Sequence, residues 1–397
     1  MRILFLTTLL PFPLDNGGKI KTYYLLKALS NKNMVDVLTF INNKKDNNYI
    51  KQIEQICNQV EVVEKILIAK SSKKQLIKDY LKSFFSRNPY VINKFYSKNM
   101  AYKLIEYQKK NSYDLIYVDH LPMMVYHKLF RSPVILDEHN VESLIMKRRY
   151  EAEKNTIKKY IEFLEYKKLV NFEKKSLIEA NHIISLSEQD KQELSKLINN
   201  KKKIDVLPIC IENNYVKKSV ERKQCEKLRL LFVGTMSWYP NSQGIEWFIK
   251  EVFTKLDENK FELFVVGGNP PTTIKRWNRN DNIHIVGYVE DVNDYIESCH
   301  VNIVPIFIGS GLRVKIIEAF SKGIPVLSTS IGAEGIKTKN GVNILIADNS
   351  KEFIDHLNKI YDDDSILNNI KSKALATFEK HYSLNYLTKR IDNIILL

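Results

Sequence analysis

Cysteine is scarce in this chain of 397 residues: four occur, Cys57, Cys210, Cys225 and Cys299, scattered without metal-like pairing. That spacing argues against both a disulfide framework and a zinc site, so cysteine carries no chemistry here. Long apolar runs are missing as well. No stretch approaches the length of a membrane span, and the first residues read as a strand, without the charged n-region and small-residue cleavage site of a secretory leader. The expectation is a cytoplasmic chain. Short-period repeats and low-complexity tails are also absent, which sets aside solenoids and disordered arrays.

What is present points to two globular domains. Hydrophobic residues make up 44% of a length sufficient for two cores of ordinary size. The formal charge is +15, from 61 basic and 46 acidic residues. Much of the excess lies in Lys/Asn-rich stretches such as Lys70 to Lys82, Lys154 to Lys175 and Asn199 to Lys203. Such a field draws anions: a nucleotide diphosphate, an anionic membrane face or nucleic acid. A genome-wide lysine bias accounts for an evenly spread part of it, so charge alone does not choose among these partners.

The hydrophobic pattern alternates strands and helices. Arg2 to Leu9 reads as a strand, Pro11 to Gly18 as a loop and Lys19 to Leu29 as a helix, one β-loop-α unit. Further strands are expected at Val35 to Thr39, Tyr113 to Val118, Pro133 to Asp137, His182 to Leu186 and Ile204 to Pro208, which favours a parallel sheet. Two long charged segments between them, Lys70 to Lys109 and Glu142 to Ala180, have apolar residues at helical spacing. The second reads as an exposed helical arm, open to a solvated role or to membrane contact through its Lys, Arg and aromatic residues. A polar linker is expected near Glu212 to Lys227, and a second α/β set follows: Leu228 to Gly234, Phe261 to Val266, Ile283 to Val286, His300 to Pro305, Val326 to Ser328 and Asn343 to Ala347. The end of the chain, from about Asp348, reads as helical, and Asp362-Asp363-Asp364 within it as turn and helix-start chemistry rather than a metal triplet.

The densest segment is GSGLRVKIIEAFSKGIPVLST, Gly309 to Thr329. Gly309-Ser310-Gly311 follows an apolar strand where the backbone turns and presents bare N–H groups. Ile316, Ile317 and Phe320 supply the apolar face of a helix, Gly323 suits its C′ position, and Pro325 lies just past the stop. The loop therefore opens a helix N-terminus that favours an anion, with Arg313 and Lys315 beside it. Glu318, farther along, can accept hydrogen bonds from the two vicinal hydroxyls of a ribose. Read alone, the same residues also fit a solvated surface helix.

In order and spacing these pieces resemble family 4 glycosyltransferases. The resemblance spans almost the whole chain: RILFLTTLLPFPLDNGGKIKTYYLLKAL at the start, LRLLFVGTMSWYPN at Leu228, NIHIVGYVEDVNDYIESCHVNIVP, the G-x-G-x-R-x-K-x-x-E-A run from Gly309 to Ala319, and GAEGI at Gly332. It implies an α/β chain of the GT-B fold, two facing Rossmann-like domains with an interdomain cleft. The expected division is 1–215 for acceptor binding, 216–380 for the nucleotide sugar, and 381–397 as a helix crossing back to the first domain.

Several residues acquire roles through that resemblance. Gly17 and Gly18 line the cleft near the transferred sugar. His120, within YVDHLP after a strand, contacts the donor sugar, with His139 of DEHNVE second to it. Asp119, Asp137, Glu138, Asn140 and Glu142 crowd the same loops, where acceptor hydroxyl binding is their expected role; His139, Asn140 and Glu142 are the foremost acceptor candidates, and Asn140 equally suits a helix cap. Lys19 or Lys21 can reach an anion at the glycine loop. Arg313, Lys315 and Glu318 hold the diphosphate and ribose together with Gly309, Ser310, Gly311 and Leu312, and Val289 closes on the base through its backbone.

The chain departs from the family at two points. Thr235 stands where an Arg usually grips the diphosphate, and no Lys follows until Lys250. Ser310 stands where the first of two glutamates usually contacts the donor sugar. Both departures throw the diphosphate grip onto Arg313 and Lys315 and leave the sugar's identity open.

The resemblance therefore implies a retaining, metal-independent glycosyltransferase without a cofactor, using a UDP- or GDP-sugar and a glycan or lipid-linked hydroxyl in surface polysaccharide or glycolipid synthesis. Nucleic acid is not an expected partner, and peripheral contact with the inner face of an anionic membrane is an open one. Two alternatives stand beside it: a GT-B nucleotide-sugar epimerase and a basic, non-catalytic binder of membrane or nucleic acid.

Overall fold

The structure is a computed structural model, and it describes residues 1–42, 44–65, 86–213, 226–279, 281–308 and 311–396. The chain divides into two compact units, residues 1–209 with 387–397, and residues 210–386.

In the first unit seven strands are described: β1 (Arg2–Thr7), β2 (Met34–Ile41), β3 (Gln59–Glu64), β4 (Leu115–Asp119), β5 (Val134–Glu138), β6 (His182–Ser185) and β7 (Ile204–Val206). They form one sheet in the order β3-β2-β1-β4-β5-β6-β7, and every adjacent pair is parallel. The central strands RILFLT, LIYVD and VILDE are buried almost throughout, as expected of strands covered on both faces. Leu4, Leu6, Ile116, Val118 and Leu136 lie at the centre of the core. Register is what matters for the site: Thr7 of β1 pairs with Asp119 of β4, and Asp119 with Asp137 of β5, so three polar residues end their strands at one level.

The second unit repeats the plan with β8 (Leu228–Val233), β9 (Phe261–Val266), β10 (Ile283–Gly287), β11 (Val301–Val304), β12 (Val326–Ser328) and β13 (Leu345–Ile346), ordered β10-β9-β8-β11-β12-β13 and again parallel. In each sheet the strand order reverses once, between β1 and β4 and between β8 and β11. Such switch points leave a crevice at the carboxyl ends of the flanking strands, where ligands of open α/β sheets bind.

Some elements differ from the sequence expectation. Strand β3 was not expected, because QVEVVE is half polar and sits at the sheet edge with Val63 as its one buried residue. The Glu142 to Ala180 arm is two helices, Glu142–Ala152 and Thr156–Glu179, broken where Asn155 caps the second by accepting from Lys158 N at 3.0 Å. Of the Lys70 to Lys109 segment, residues 70–85 lie outside the described residues; the remainder holds the helix Tyr90–Asn93 and all but the last residue of the helix Lys98–Lys110.

The unit boundaries also shift, to 209/210 and 386/387 from the expected 215/216 and 380/381. Ile211 N donates to Tyr382 O at 2.9 Å, and Lys337 N donates to the Tyr382 hydroxyl at 2.7 Å, so residues on both sides of each expected boundary are tied into the second unit. From Leu387 the last helix belongs to the first unit, where Asp392 pairs with Lys32 at 2.6 Å. Among the described residues no helix is long and apolar enough to cross a membrane.

Candidate functional site

Each switch point carries a cluster of functional side chains. In the first unit the loop after β1 leads into the helix Gly17–Ser30, capped by Asn16, whose side chain accepts from Lys19 N at 3.1 Å. Against this helix start stands His120, the first residue beyond β4. A Cβ placed on Gly18 would lie 3.8 Å from His120 Nε2 and 3.4 Å from Asn16 Oδ1, so the imidazole tip faces bare backbone. His120 has φ of +88°, a region that costs a side-chain-bearing residue energy, and its N–H donates to Asp137 O at 3.1 Å. Strain of this kind persists where the surroundings over-determine it.

Asp119 supplies that determination. Its carboxylate is wholly buried and accepts from Thr7 Oγ1 and Thr22 Oγ1, each at 2.7 Å, and from His139 Nε2 at 2.6 Å, while His120 Nδ1 lies 3.0 Å from the same group. Burial alone would raise its pKa, but the two imidazoles outweigh burial and hold it well below the usual carboxylate range. Asp119 is therefore an anion, which makes His139 Nε2 the donor. The ring centroids of His120 and His139 lie 3.6 Å apart, their planes tilted by 35°. Burial, then the neighbouring charges of His120 and Lys21, bring His139 down to about 4 and keep it neutral. For His120 burial works downward, yet Asp119 prevails and its pKa is raised. The imidazole turns Nδ1 to Asp119 and Nε2 over the glycine turn, and the Asp119 charge favours its protonated form.

Beside it Lys21 Nζ meets Asp137 Oδ1 at 2.5 Å, both wholly buried, and the Tyr117 hydroxyl donates to Asp137 Oδ2 at 2.8 Å. This corrects two expectations. Lys21 does not face an anion at the glycine loop, because Asp137 takes it up, and Asp119 and Asp137 are too fully bonded to receive an acceptor hydroxyl. Asn140 is not the expected cap of the helix Glu142–Ala152, whose N-cap residue is Val141 without a side-chain bond. Instead Glu173 of the helix Thr156–Glu179 accepts from Glu142 N at 2.8 Å, from Ser143 N and from the Ser143 hydroxyl. Burial pushes Glu173 up to about 7 and raises Glu142. Glu138 is 1% exposed, and among the described residues neither carboxyl oxygen has a hydrogen-bond partner; burial, then Glu173 and Glu142, raise its pKa well above the usual carboxylate range.

Asp119, His120 and His139 also bring an oxygen and two ring nitrogens within 4.8 Å of one another, a set that can hold a metal ion. The hydrogen bonds already made by the Asp119 carboxylate oppose that use, since a cation would have to displace donors from Thr7, Thr22 and His139.

In the second unit the helix Val314–Ser321 follows the loop beyond β11. Gly309 and Ser310 lie outside the described residues; Gly311 has φ of +82°, and Leu312 is half-buried. Arg313 is the N-cap residue, 6% exposed, and its Nη1 donates to Gly311 O at 2.5 Å while the guanidinium lies 5.6 Å from the Trp238 ring centroid. Two residues on, Lys315 Nζ donates to Asn241 Oδ1 at 2.9 Å and lies 4.9 Å from the Phe232 ring. Asn241 Nδ2 in turn donates to Thr235 O at 2.9 Å. Burial, reinforced by the Arg313 charge, lowers Lys315 to about 7, and burial raises Glu318 against the opposing pull of Lys322 and Lys315. Glu318 lies one turn beyond Lys315 and has no ion pair among the described residues. Ile316, Ile317 and Phe320 anchor the helix at 0% exposure, and Gly323 turns out of it at φ of +65°.

Glycine lets β8 and β9 converge behind this site. A Cβ on Gly267 would come 2.0 Å from Gly234 O, and one on Gly234 would come 2.8 Å from Lys315 Nζ. The Thr235 side chain is exposed and only its carbonyl is engaged; Val289, past β10, is half-buried next to Tyr288, which is 77% exposed.

The structure thus assembles His120, Gly17 and Gly18 in one unit, and Arg313, Lys315, Glu318 and Thr235 in the other. Sequence reasoning missed Thr7, Thr22 and Tyr117, which set the carboxylates, and Asn241, which sets Lys315. A polar residue ending an apolar strand, as in RILFLT, was the available signal for Thr7.

Residues 227–363 match the family model for Glycosyl transferases group 1. Over 96% of its length and 96% of the relative's, the chain is 22% identical to an uncharacterized 44.6 kDa protein of the cps region of Klebsiella pneumoniae. Among solved structures it resembles sucrose-phosphate synthase from Thermosynechococcus elongatus, with TM-score 0.71, 15% identity and coverage of 99% of this chain and 98% of that one. It also resembles Anabaena HepE in complex with UDP and glucose, with TM-score 0.65, 15% identity and coverage of 99% and 98%. These likenesses establish the GT-B glycosyltransferase fold.

Proposed function

We propose that this chain, which has the GT-B fold and whose residues 227–363 match the group 1 glycosyltransferase model, transfers a sugar from a nucleoside diphosphate donor to a hydroxyl acceptor in surface polysaccharide or glycolipid synthesis. The observation that carries the reading is the pairing of Arg313 and Lys315 at the start of an anchored helix, one turn before Glu318. Two cations beside helix amides suit a diphosphate, and the carboxylate beyond them suits vicinal ribose hydroxyls.

The departing nucleoside diphosphate gains charge as the glycosidic bond to it breaks. Arg313 and Lys315 stabilise that charge, which is the main contribution asked of the protein. His120 presents Nε2–H at the glycine turn of Gly17 and Gly18, a donor for a sugar oxygen. Among the described residues no side chain of the site is placed as a nucleophile, so the mechanism proposed has no covalent glycosyl-enzyme intermediate; same-face displacement with retention is the course proposed. Cationic side chains then do what a divalent ion does in other transferases, and the reaction needs neither metal nor cofactor. UDP- and GDP-sugars are the donors proposed. Half-buried Glu142 is the acceptor-side carboxylate, with Asn140 next to it; His139 acts through Asp119 instead. No observation among the described residues favours an epimerase or a non-catalytic binder.

The test is a screen of nucleotide sugars for slow hydrolysis, read as free sugar and nucleoside diphosphate. Release from one UDP- or GDP-sugar supports the reading; no release from any member, with no stabilisation by UDP or GDP, removes it.

A further inference from the structure

The loop that follows β12 carries a carboxylate that the proposed reaction leaves unused. Glu334 of GAEGI is half-buried, and among the described residues its side chain has neither a hydrogen bond nor an ion pair. The loop holds it in place. Thr329 N donates to Val304 O at 3.3 Å and the Thr329 hydroxyl donates to Ile306 O, which ties the exit of β12 to that of β11. Gly332 N donates to Thr329 Oγ1 at 2.9 Å, and a Cβ on Gly332 would lie 2.9 Å from Val304 O, so glycine is what lets the turn sit this close. Ala333 and Ile336, which bracket Glu334, are buried.

What lies next to Glu334 is the start of the helix Val314–Ser321. Strands β11 and β12 are adjacent and parallel, so the loops beyond them leave the sheet at one edge, the first with Arg313 and the second with Glu334. Burial lowers the Arg313 pKa and the Glu334 charge works against it, so the two groups feel each other. A negative charge beside a diphosphate site opposes the ligand unless the ligand itself uses that charge. Phosphate oxygens cannot, since as anions they only accept. A bridging cation has no ligand set, because among the described residues Glu334 belongs to no group of three that could hold one. Neutral hydroxyls can use it, because both carboxylate oxygens accept and adjacent sugar hydroxyls donate in pairs. In a nucleotide sugar the group attached to the diphosphate is that sugar.

We propose that Glu334 accepts hydrogen bonds from two adjacent hydroxyls of the transferred sugar, and that this sugar is consequently neutral and not a uronic acid, whose own carboxylate Glu334 repels. The assignment rests on the proposed transferase reading and adds to it the residue that reads the sugar. Glu318 and Glu334 then divide the donor between them, the ribose to one and the transferred sugar to the other.

Hydrolysis kinetics and calorimetry on the full chain test it, with the nucleotide sugar that wild type hydrolyses fastest and with the nucleoside diphosphate of that donor. Glu334→Ala and Glu334→Gln are expected to lower kcat/KM for the nucleotide sugar at least about tenfold, as for loss of a charge-assisted contact to substrate. The nucleoside diphosphate alone should bind both variants as it binds wild type, or more tightly, because a like charge has gone. Melting temperatures should be unchanged; a merely structural role would weaken both ligands together. Monodeoxy analogues of the donor sugar complete a double-mutant cycle: wild type should lose rate with two analogues that lack adjacent hydroxyls, and Glu334→Ala should treat those two like the parent. Equal loss of nucleotide and nucleotide sugar, wild-type kinetics in both variants, a wild-type response of Glu334→Ala to the deoxy analogues, or a uronic acid as the preferred sugar overturns the proposal. No hydrolysis and no nucleotide binding by wild type would instead remove the transferase reading, and this assignment with it.

Discussion

His139 Nε2 lies 2.6 Å from Asp119 Oδ1, while the His139 ring centroid lies 3.6 Å from that of His120, the planes tilted by 35°. One buried carboxylate thus fixes two imidazoles, one neutral and internal, the other raised in pKa and turned toward the glycine loop.

Asp119→Asn should uncouple the pair. An amide cannot balance the His120 cation, so the His120 pKa falls and its donor at Nε2 is lost at neutral pH. Stability is expected to drop by about 1–3 kcal/mol, as for a broken buried network. The discriminating readout is the pH–rate profile, which should lose activity at lower pH than wild type; an unchanged profile would show that Asp119 is only structural.

Two glycines should respond in opposite ways. Gly18→Ala adds a Cβ at ordinary contact distances, so folding should survive while kcat/KM falls about tenfold or more, because the methyl occupies the backbone face under His120 Nε2. Gly267→Ala puts a Cβ 2.0 Å from Gly234 O and should destabilise the second unit by about 3 kcal/mol or more. Melting temperatures measured alongside activity separate the two; full activity in Gly18→Ala would remove the glycine turn from the site.

Lys315 makes donor binding depend on pH. Its pKa of about 7 in the free protein means that much of it is neutral at pH 8, and an arriving diphosphate favours the charged form. Binding should therefore take up a proton above pH 7, and affinity should weaken as pH rises. Calorimetry in buffers of different ionisation heat reads the uptake directly. Lys315→Met should abolish it; uptake undiminished in that variant would assign the proton elsewhere.

Glu173 gives a stability effect of known sign. Its folded pKa is raised to about 7 from 4.5, so the folded state holds the proton more tightly than the unfolded chain. The associated stability is fully present below pH 4.5 and lost as pH rises through 7. Glu173→Gln should flatten that part of the curve measured by denaturant unfolding at fixed pH. His139 works the other way, losing stability as pH falls from 6.5 toward 4, so the variant should expose its slope.

The parallel strands were legible because buried runs such as LIYVD and VILDE need no partner to be recognised. Strand β3 was not, since an edge strand with one buried valine carries little pattern. Gly17, Gly18 and His120 could be singled out from their places after strands. The commitments of Asp119, Asp137 and Lys21 could not, because they depend on β1, β4 and β5 ending at one level, which no local spacing records. Likewise Asn241 is an ordinary residue of WYPN until the fold brings it against Lys315, 74 positions away.

The account turns on whether Arg313 and Glu318 hold a nucleoside diphosphate. Calorimetric titration of UDP and GDP into wild type, Arg313→Ala and Glu318→Ala tests this most directly. One nucleotide should bind wild type, and each variant, still folded by circular dichroism, should bind it about tenfold to a hundredfold more weakly, as expected for loss of a charge-assisted contact. Wild-type affinity in both variants, or no binding of either nucleotide to wild type, would contradict it.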